Sequence, residues 1–129
     1  MTDGEGNAMN FIITAGNVND NKKAQDLLDP VIHPYEAILG DRAFDTDKII
    51  EYITSKMAVA VIPPKKNRII QRVYDKELYK NRNQIERFFD KLKQFRRIAT
   101  RYDKLVSSFM ALIQLAATLI RLPKFAPIV

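Results

Sequence analysis

The chain has no cysteine and a single histidine, and both facts exclude particular kinds of site. Without cysteine, neither a disulfide framework nor a thiolate zinc site can form. The one histidine, His33, precedes Pro34 in a turn-like stretch, where a loop residue is expected rather than a metal ligand. No basic segment followed by an apolar one opens the sequence, so secretion is not expected and a cytoplasmic location is the default.

Acidic residues are scarce in the second half of the chain. Residues 1–62 hold five basic and ten acidic residues, a net charge of −5, whereas residues 63–104 hold fourteen and five, a net charge of +9. Residues 105–129 add +2. Aromatic residues are interleaved with the positive charge, which is more typical of a folded basic surface than of a disordered tail. The middle segment therefore predicts a polyanionic partner, with a generic basic surface as the alternative.

Hydrophobic periodicity and turn residues predict alternating strands and helices, and so an α/β fold. The 129 residues, 47% of them hydrophobic, suffice for one modest core, and hence for a single domain or part of one. A turn is predicted at residues 3–7. The predicted strands are 8–14, 37–40 and 57–62. The predicted helices are 22–28, one beginning near residue 46, 78–97 and 104–122. The helix that begins near residue 46 is expected to have Ile49, Ile50 and Ile53 on its inner face.

The last predicted helix is apolar enough to raise the question of a membrane span. Four polar residues line up along it at helical spacing: Ser107, Gln114, Thr118 and Arg121. A spanning helix needs about 20 predominantly apolar residues. We therefore expect a buried amphipathic helix that packs on the sheet, and no membrane partner.

Four side chains that could bind a metal ion and phosphate share one stripe of the predicted helix 78–97. Tyr79, Arg82, Glu86 and Lys93 lie within about 60° of one another around the helix axis. The opposite side carries the apolar residues Ile85, Phe88, Leu92 and Phe95. A lone carboxylate in this company can hold a divalent metal while its neighbours bind phosphate, because hard cations prefer oxygen ligands and phosphate prefers guanidinium and ammonium groups. A solvated charged face explains the same spacing without any ligand.

A second candidate, Asp41, follows the predicted strand 37–40, at a junction where open α/β sheets place functional residues. An aspartate in such a position is commonly only a helix cap or a loop acceptor. Asp45 or Thr46 is expected to cap the next helix. The aperiodic, basic stretch 65–75 is expected to be a loop over a binding surface, with a flexible solvated linker as the alternative.

Taken together, these segments resemble a known family. The spacing Tyr79-x2-Arg82-x3-Glu86-x6-Lys93 is similar to the signature around the last acidic residue of bacterial insertion-sequence transposases of the DDE class. The segment 40–47 resembles the second acidic motif of that family. The resemblance implies a partial ribonuclease H-like fold, a mixed sheet flanked by helices, that lacks its first strands. The resemblance extends from Thr2 to Leu122. It divides residues 1–129 into a sheet portion with the second acidic motif (1–62), a basic loop and motif helix (63–104) and an apolar helix with its tail (105–129).

The resemblance also implies a chemistry, which is metal-dependent phosphodiester cleavage and strand transfer in DNA transposition. Two Mg²⁺ or Mn²⁺ ions in the complete enzyme would be held by an Asp-Asp-Glu trio. Asp41 and Glu86 would be the catalytic metal ligands, with Asp45 as a helix cap. Three residues would contact DNA beside the scissile bond: Arg82 and Lys93 at phosphates, and Tyr79 at a phosphate or a flipped base. Weaker candidates for phosphate contacts are Lys65, Lys66, Arg68, Arg87, Arg96, Arg97 and Arg101.

One element of the family pattern is missing from the sequence. The first catalytic Asp of the family lies on a strand expected ahead of this chain, and neither Asp3, in a turn, nor Asp20, in a loop, replaces it. We therefore expect a carboxy-terminal portion of a transposase that is inactive alone. The chain would be a frameshift product, a split half or a decayed remnant.

The expected partners are DNA, as transposon ends and target, and either the missing amino-terminal portion or a second transposase copy. The expected location is the bacterial cytoplasm, in association with the nucleoid. Two alternatives stay open. One is a non-enzymatic DNA-binding remnant that competes for transposon ends, and the other is an interaction protein that uses the apolar helix 105–122.

Overall fold

The computed structural model describes residues 1–100 and 105–122. The chain divides into two compact units. The first comprises Met1–Met9 and the described residues from Gln84 onward, and the second comprises Asn10–Asn83. Asp41 and the paired strands belong to the second unit, whereas Glu86 belongs to the first.

The second unit contains a β–α–β segment. Strand β1 (Ala37–Leu39) and strand β2 (Val59–Val61) pair in parallel from their first residue to their last, and helix α2 (Asp47–Ser55) connects them. Parallel strands need a crossover of this kind because a tight hairpin can join only antiparallel strands. The predicted α/β class is therefore confirmed, with a sheet of two strands in the described part of the chain.

A compact apolar core forms around helix α2, which packs on β2 and on helix α1 (Ala24–Leu28). The predicted inner face of α2 is confirmed, since Ile49 is 3% exposed, Ile53 is 0% exposed and Ile50 is half-buried. The same unit buries Ala24, Leu28, Ala58, Val61 and Ile62. Burying a valine, leucine or isoleucine side chain contributes about 1.5–3 kcal/mol to stability.

Helix α2 ends at a residue in the left-handed region, and this shortens the following strand. Met57 has a φ of 58°, its N–H donates to Thr54 O at 2.9 Å, and Ala58 N–H donates to Ile53 O at 3.2 Å. This pair of bonds is a Schellman motif, in which the left-handed residue is usually glycine. The strand predicted over 57–62 therefore begins only at Val59.

A tyrosine on helix α2 is tied to the end of helix α1. The Tyr52 hydroxyl donates to Asp29 Oδ1 at 2.6 Å, and Lys56 Nζ lies 3.4 Å from the same oxygen. Burial, followed by the hydrogen bond to the Asp29 carboxylate, raises the pKa of Tyr52 to about 12. The hydroxyl consequently remains a donor at neutral pH and links the two helices.

The predicted turn at residues 3–7 is confirmed in the first unit. The Asp3 carboxylate accepts from the backbone N–H groups of Glu5, at 2.9 Å, and Asn7, at 2.8 Å. Gly6 has a φ of 85°, a conformation that glycine adopts at little cost. Asp3 therefore serves as a turn acceptor, the position in which the sequence placed it.

The strand predicted over residues 8–14 does not form. The structure has only an isolated antiparallel bridge between Thr2 and Ala8. A run of apolar and β-branched residues becomes a strand only where a neighbouring strand takes up its backbone hydrogen bonds, and this bridge is too short to continue the ladder.

The single helix predicted over 78–97 is divided into separate pieces. Helix α3 (Lys76–Tyr79), a 3-10 turn (Lys80–Arg82) and helix α4 (Asn83–Lys93) follow one another, and helix α5 (Arg96–Ala99) comes after a break. Phe95 is extended, with φ −81° and ψ 101°, and marks that break. The apolar periodicity runs through the break, so the pattern alone could not reveal it.

Helix α6 (Val106–Arg121) confirms the last predicted helix to within two residues, although Lys104 lies outside the described part of the chain. The predicted polar stripe is exposed along its whole length: Ser107, Gln114, Thr118 and Arg121. Ile113, Ala116 and Ala117 are buried. Within the described residues, no helix is long and apolar enough to cross a membrane.

The core assignment can be tested with two equal truncations. Ile53→Ala removes a fully buried side chain, so we expect the free energy of unfolding to fall by about 2–5 kcal/mol. Ile69→Ala removes the same atoms from a side chain that is 101% exposed and should change it by less than about 0.5 kcal/mol. Urea unfolding followed by circular dichroism measures both, and equal losses would show that the core is misassigned.

Candidate active site

Asp41 lies directly after strand β1, at the carboxyl end of the strand pair. Its Oδ1 accepts a hydrogen bond from Ala43 N–H at 2.8 Å and so caps the 3-10 turn Arg42–Phe44. The side chain is half-buried, and within the described residues its second oxygen accepts no hydrogen bond. Asp41 thus acts as the loop acceptor that the sequence offered as one alternative, while one carboxylate oxygen remains open to a ligand.

The residue before Asp41 is glycine for a steric reason. A Cβ atom at Gly40 would lie 3.3 Å from Ile62 Cγ1 and 3.4 Å from Phe44 Cβ, tighter than ordinary van der Waals contact. The ends of the two strands therefore approach closely just where Asp41 leaves the sheet. This packing fixes the backbone that carries the carboxylate.

Asp45 does not cap helix α2 but is buried. Thr46 is the cap residue, and its hydroxyl accepts from Ile49 N–H at 3.3 Å. The Asp45 side chain is 0% exposed. Its Oδ2 accepts from Lys65 N–H at 2.7 Å and from Arg68 Nε at 2.6 Å. The expectation of Asp45 as a cap was wrong, because its carboxylate points inward to the loop that follows β2.

Two arginines complete this cluster. Arg72 Nη1 donates to Asp45 Oδ1 at 3.1 Å, and its Nη2 donates to Ile62 O at 2.7 Å. Arg68 Nη1 donates to Asp47 Oδ1 at 2.7 Å. Arg68, expected at a DNA phosphate, thus has its guanidinium bound to two carboxylates of its own chain. Charge-assisted bonds of this kind are shorter and stronger than neutral ones.

Burial and hydrogen bonding act in opposite directions on the pKa of Asp45. Burial by itself would raise the pKa, but the bonds from Lys65 N–H, Arg68 and Arg72 favour the carboxylate and lower the pKa below its usual value. Asp45 is therefore ionised at neutral pH although it is inaccessible to water.

The basic loop between β2 and α3 is ordered by polar contacts. The Gln71 side-chain amide donates to Lys65 O at 3.0 Å and to Arg68 O at 2.8 Å. The apolar residues point outward instead: Ile69, Ile70 and Val73 are 101%, 82% and 93% exposed. The predicted loop is confirmed as a segment without helix or strand, and its shape depends on hydrogen bonds rather than on apolar packing.

Tyr79 and Arg82 come together in the second unit. The Arg82 guanidinium carbon lies 5.9 Å from the centroid of the Tyr79 ring, and the Tyr74 ring packs edge-on against Tyr79 at 5.6 Å. Both Tyr79 and Arg82 are half-buried. The aromatic face steadies a cation at this position.

Glu86 and Lys93 lie on the exposed side of helix α4, in the first unit. Two helical turns separate them, so they share a face, whereas Phe88 and Leu92 are 3% and 5% exposed on the buried side. Lys93 Nζ is 4.0 Å from Asp90 Oδ1, a weak surface pair. The predicted amphipathic character of this segment is confirmed for the part that forms α4.

The remaining predicted DNA-contacting residues differ in exposure. Lys66, Arg87 and Arg96 are exposed and Lys65 is half-buried. The Arg97 side chain and the whole of Arg101 lie outside the described part of the structure.

Residues 1–121 match the family profile described as the transposase DDE domain. The chain belongs to the transposase DDE domain family. It is also 37% identical over 108 residues to a Brucella ovis protein named as the candidate transposase for insertion sequence element IS6501, an alignment that covers 83% of this chain and 82% of that protein. No solved structure matches the chain.

Family membership gives the acidic residues a chemical context, because transposases with a DDE domain use divalent metal ions. The donor types fit, since carboxylate oxygens suit hard cations. Among residues 1–100 and 105–122, however, no three His, Cys, Asp or Glu side chains converge to hold an ion. Asp41 and Glu86 each offer a carboxylate whose oxygens suit such an ion.

Sequence reasoning missed the contribution of Asp45 and Arg72 to this transposase structure. Asp45 stands next to a good helix cap, which suggested a local role, and Arg72 was one of many basic residues in the segment. Two features of the sequence could have indicated the pairing. Asp45 is an acidic residue inside the family-like segment 40–47, and a basic stretch follows the predicted strand 57–62. Only the fold brings the two segments together.

The pKa shift of Asp45 predicts how stability depends on pH. Because the folded-state pKa lies below the unfolded value of about 3.9, the stabilisation is complete above that value and is lost as pH falls through the folded pKa. Asp45→Asn should cost about 2–3 kcal/mol at pH 7, since it leaves Arg72 without its carboxylate and Arg68 with that of Asp47 alone.

The pH experiment needs a matched control variant. Asp47→Asn removes the same charge from a side chain that is 79% exposed, so the pH dependence should resemble that of the unmodified chain. Urea unfolding from pH 7 down to pH 2 compares the three proteins. An unchanged acid transition in Asp45→Asn would contradict the assignment.

Proposed function

We propose that this chain acts in DNA transposition by metal-dependent phosphodiester cleavage and strand transfer, with Asp41 and Glu86 as catalytic metal ligands. The observation that carries the proposal is the position of Asp41 in a member of the transposase DDE domain family. Its carboxylate stands at the carboxyl end of a parallel strand pair, with one oxygen fixed by Ala43 N–H and the other open. Open α/β sheets bind ligands at such ends.

Asp41 and Glu86 are each placed by their local structure. The bond from Ala43 N–H orients the Asp41 carboxylate. Glu86 lies in the first turn of α4, where the helix dipole stabilises a negative charge. Divalent ions held by such carboxylates would lower the pKa of an attacking water or 3′-hydroxyl and stabilise the leaving oxygen.

The proposed architecture is ribonuclease H-like. The order of elements supports it: a strand followed by Asp41, a helix, a parallel strand, a basic loop and then the helix that carries Glu86. The proposal includes a further carboxylate, the first acidic residue that the family resemblance implies. A second transposase copy or an amino-terminal transposase portion would supply it, and the chain alone would then be inactive.

The proposed DNA contacts combine basic and aromatic groups. Lys93, with 71% of its side chain exposed, and Arg82, stacked on Tyr79, would bind backbone phosphates beside the scissile bond. The exposed Lys66, Arg87 and Arg96 would add contacts that do not depend on sequence. Lys65, Arg97 and Arg101 are weaker members of the same proposal.

A second candidate function is DNA binding without catalysis, as a competitor for transposon ends. The exposed cations Lys66, Arg87 and Arg96 support it, since phosphate contacts of this kind need no catalytic group. The two functions share the basic surface and differ only in whether Asp41 and Glu86 act.

The catalytic proposal is tested by excision of the complete element, carried on a plasmid in bacterial cells. Asp41→Asn and Glu86→Gln should each reduce excision to background, because an amide is a much poorer metal ligand than a carboxylate. Glu51→Gln, a change of an exposed acid on α2, should leave excision intact. Normal excision by either site variant would refute the metal assignment, and no excision even by the unmodified element would favour the competitor function.

The DNA-binding proposal is tested by fluorescence anisotropy with a labelled duplex over a range of salt concentrations. Lys93→Ala should reduce the slope of log affinity against log salt by about 0.9, since one phosphate contact releases about one counterion. Lys22→Ala, a change of an exposed lysine in the turn Asp20–Lys23, should leave the slope unchanged. A salt-independent affinity in the unmodified chain would rule out a phosphate-binding surface.

A further inference from the structure

Asp45 connects two segments at the carboxyl end of the strand pair. It directly follows the 3-10 turn Arg42–Phe44. In that turn, Phe44 N–H donates to Asp41 O at 3.1 Å. Its carboxylate accepts a hydrogen bond from the backbone N–H of Lys65, which lies three residues beyond Ile62, just after strand β2. The turn that carries Asp41 and the start of the basic loop are thus bound to one buried group.

The basic loop is anchored mainly by polar contacts, and several of them are made to Asp45. The apolar side chains that could anchor it, Ile69, Ile70 and Val73, are almost fully exposed. The inward-facing groups are polar: Arg68 and Arg72 on the Asp45 carboxylate, and Gln71 on two backbone carbonyls. If the carboxylate is removed, the contacts that remain include Arg72 with Ile62 O and Arg68 with Asp47, whereas the bond that fixes the Lys65 backbone is lost or weakened.

The cationic side chains of the loop differ in whether they are paired with a carboxylate or exposed to solvent. Arg68 and Arg72 have their guanidinium groups on carboxylates of the chain, and each side chain is only 27% exposed. Lys66 is exposed, and its backbone directly follows the Lys65 N–H that Asp45 holds. One lysine is therefore presented to solvent from a backbone that is fixed at the adjacent residue.

We propose that Asp45 is a positioning residue that holds the loop 63–75 against the Asp41 turn, so that Lys66 meets a DNA phosphate beside the Asp41 carboxylate. This inference rests on the proposed function, since it requires DNA at the carboxyl end of the strands. Asp45 touches neither DNA nor metal. A fixed lysine binds a phosphate with a smaller loss of conformational entropy than a lysine on a free loop.

The test measures whether the contribution of Lys66 depends on Asp45. In the full chain, Lys66→Ala should weaken binding of a labelled duplex about three- to tenfold at low salt and lower the salt slope by about 0.9. In the Asp45→Asn background the same change should have less than about a twofold effect, because a released loop no longer presents the lysine.

The matched control variant separates position from charge. Asp45→Asn and Asp47→Asn each remove one negative charge near Arg68, so a simple charge effect would be the same in both. Only Asp45→Asn disrupts the bonds to Lys65 N–H and Arg72, because the asparagine amide leaves one acceptor oxygen for three donors. We therefore expect Lys66→Ala to keep its full effect in the Asp47→Asn background.

A second variant covers the case in which Asp45→Asn fails to fold, which thermal unfolding reveals. Arg72→Lys keeps the positive charge but loses the paired bonds to Asp45 and Ile62 O, so it should also abolish the effect of Lys66→Ala. Equal effects of Lys66→Ala in every background, or none in the unmodified chain, would overturn the positioning role while the proposed function stands. Failure of the unmodified chain to bind DNA would overturn both.

Discussion

The organisation of the unit that carries Asp41 depends on one buried carboxylate. Asp45 is inaccessible to solvent, yet it is ionised because a backbone N–H and two guanidinium groups satisfy it. Breaking such a buried pair costs more than forming it contributes, since a charge would remain in a poorly solvated position. The fold around it is therefore restrained by polar geometry as well as by the apolar core of α2 and β2.

The two neighbouring aspartates, Asp41 and Asp45, differ in how their carboxylate oxygens are bonded. Asp41 is half-buried, with one oxygen bonded and one open, whereas Asp45 has both oxygens occupied by groups of its own chain. Only the first can accept a ligand without breaking existing bonds. The same cluster withdraws Arg68 and Arg72 from the surface charge, so the net charge of +9 over residues 63–104 overstates the cations available to a polyanion.

The sequence predicted those features that depend on local chemistry. The inner face of α2, the turn at residues 3–7 and the place of Asp41 after a strand all follow from periodicity and from residues with fixed backbone preferences. What failed depended on contacts distant in sequence. The strand over 8–14 lacked a neighbouring strand, the helix over 78–97 was broken at Phe95 despite continuous periodicity, and Asp45 bonded to residues twenty or more positions away.

For the candidate site, the pairwise contacts could not be predicted from the sequence. Tyr79 and Arg82 form a cation–π contact, and Glu86 and Lys93 share the exposed face of α4. The sequence pattern assumed one uninterrupted helix, whereas a 3-10 turn lies at Lys80–Arg82. The match to the transposase family nevertheless extends over residues 1–121, which include all four.

The central claim, that Asp41 and Glu86 bind the same metal centre, can be tested by iron-directed cleavage of the protein. Fe²⁺ replaces Mg²⁺ at oxygen sites, and with ascorbate and peroxide it generates radicals that cut the polypeptide close to the ion. Carried out on the complete transposase assembly with DNA bound, the reaction should cut beside both Asp41 and Glu86, and excess Mg²⁺ should suppress both cuts together. Cuts confined to the acidic turn at residues 3–7, or cuts at one aspartate or glutamate that Mg²⁺ does not suppress, would contradict the claim.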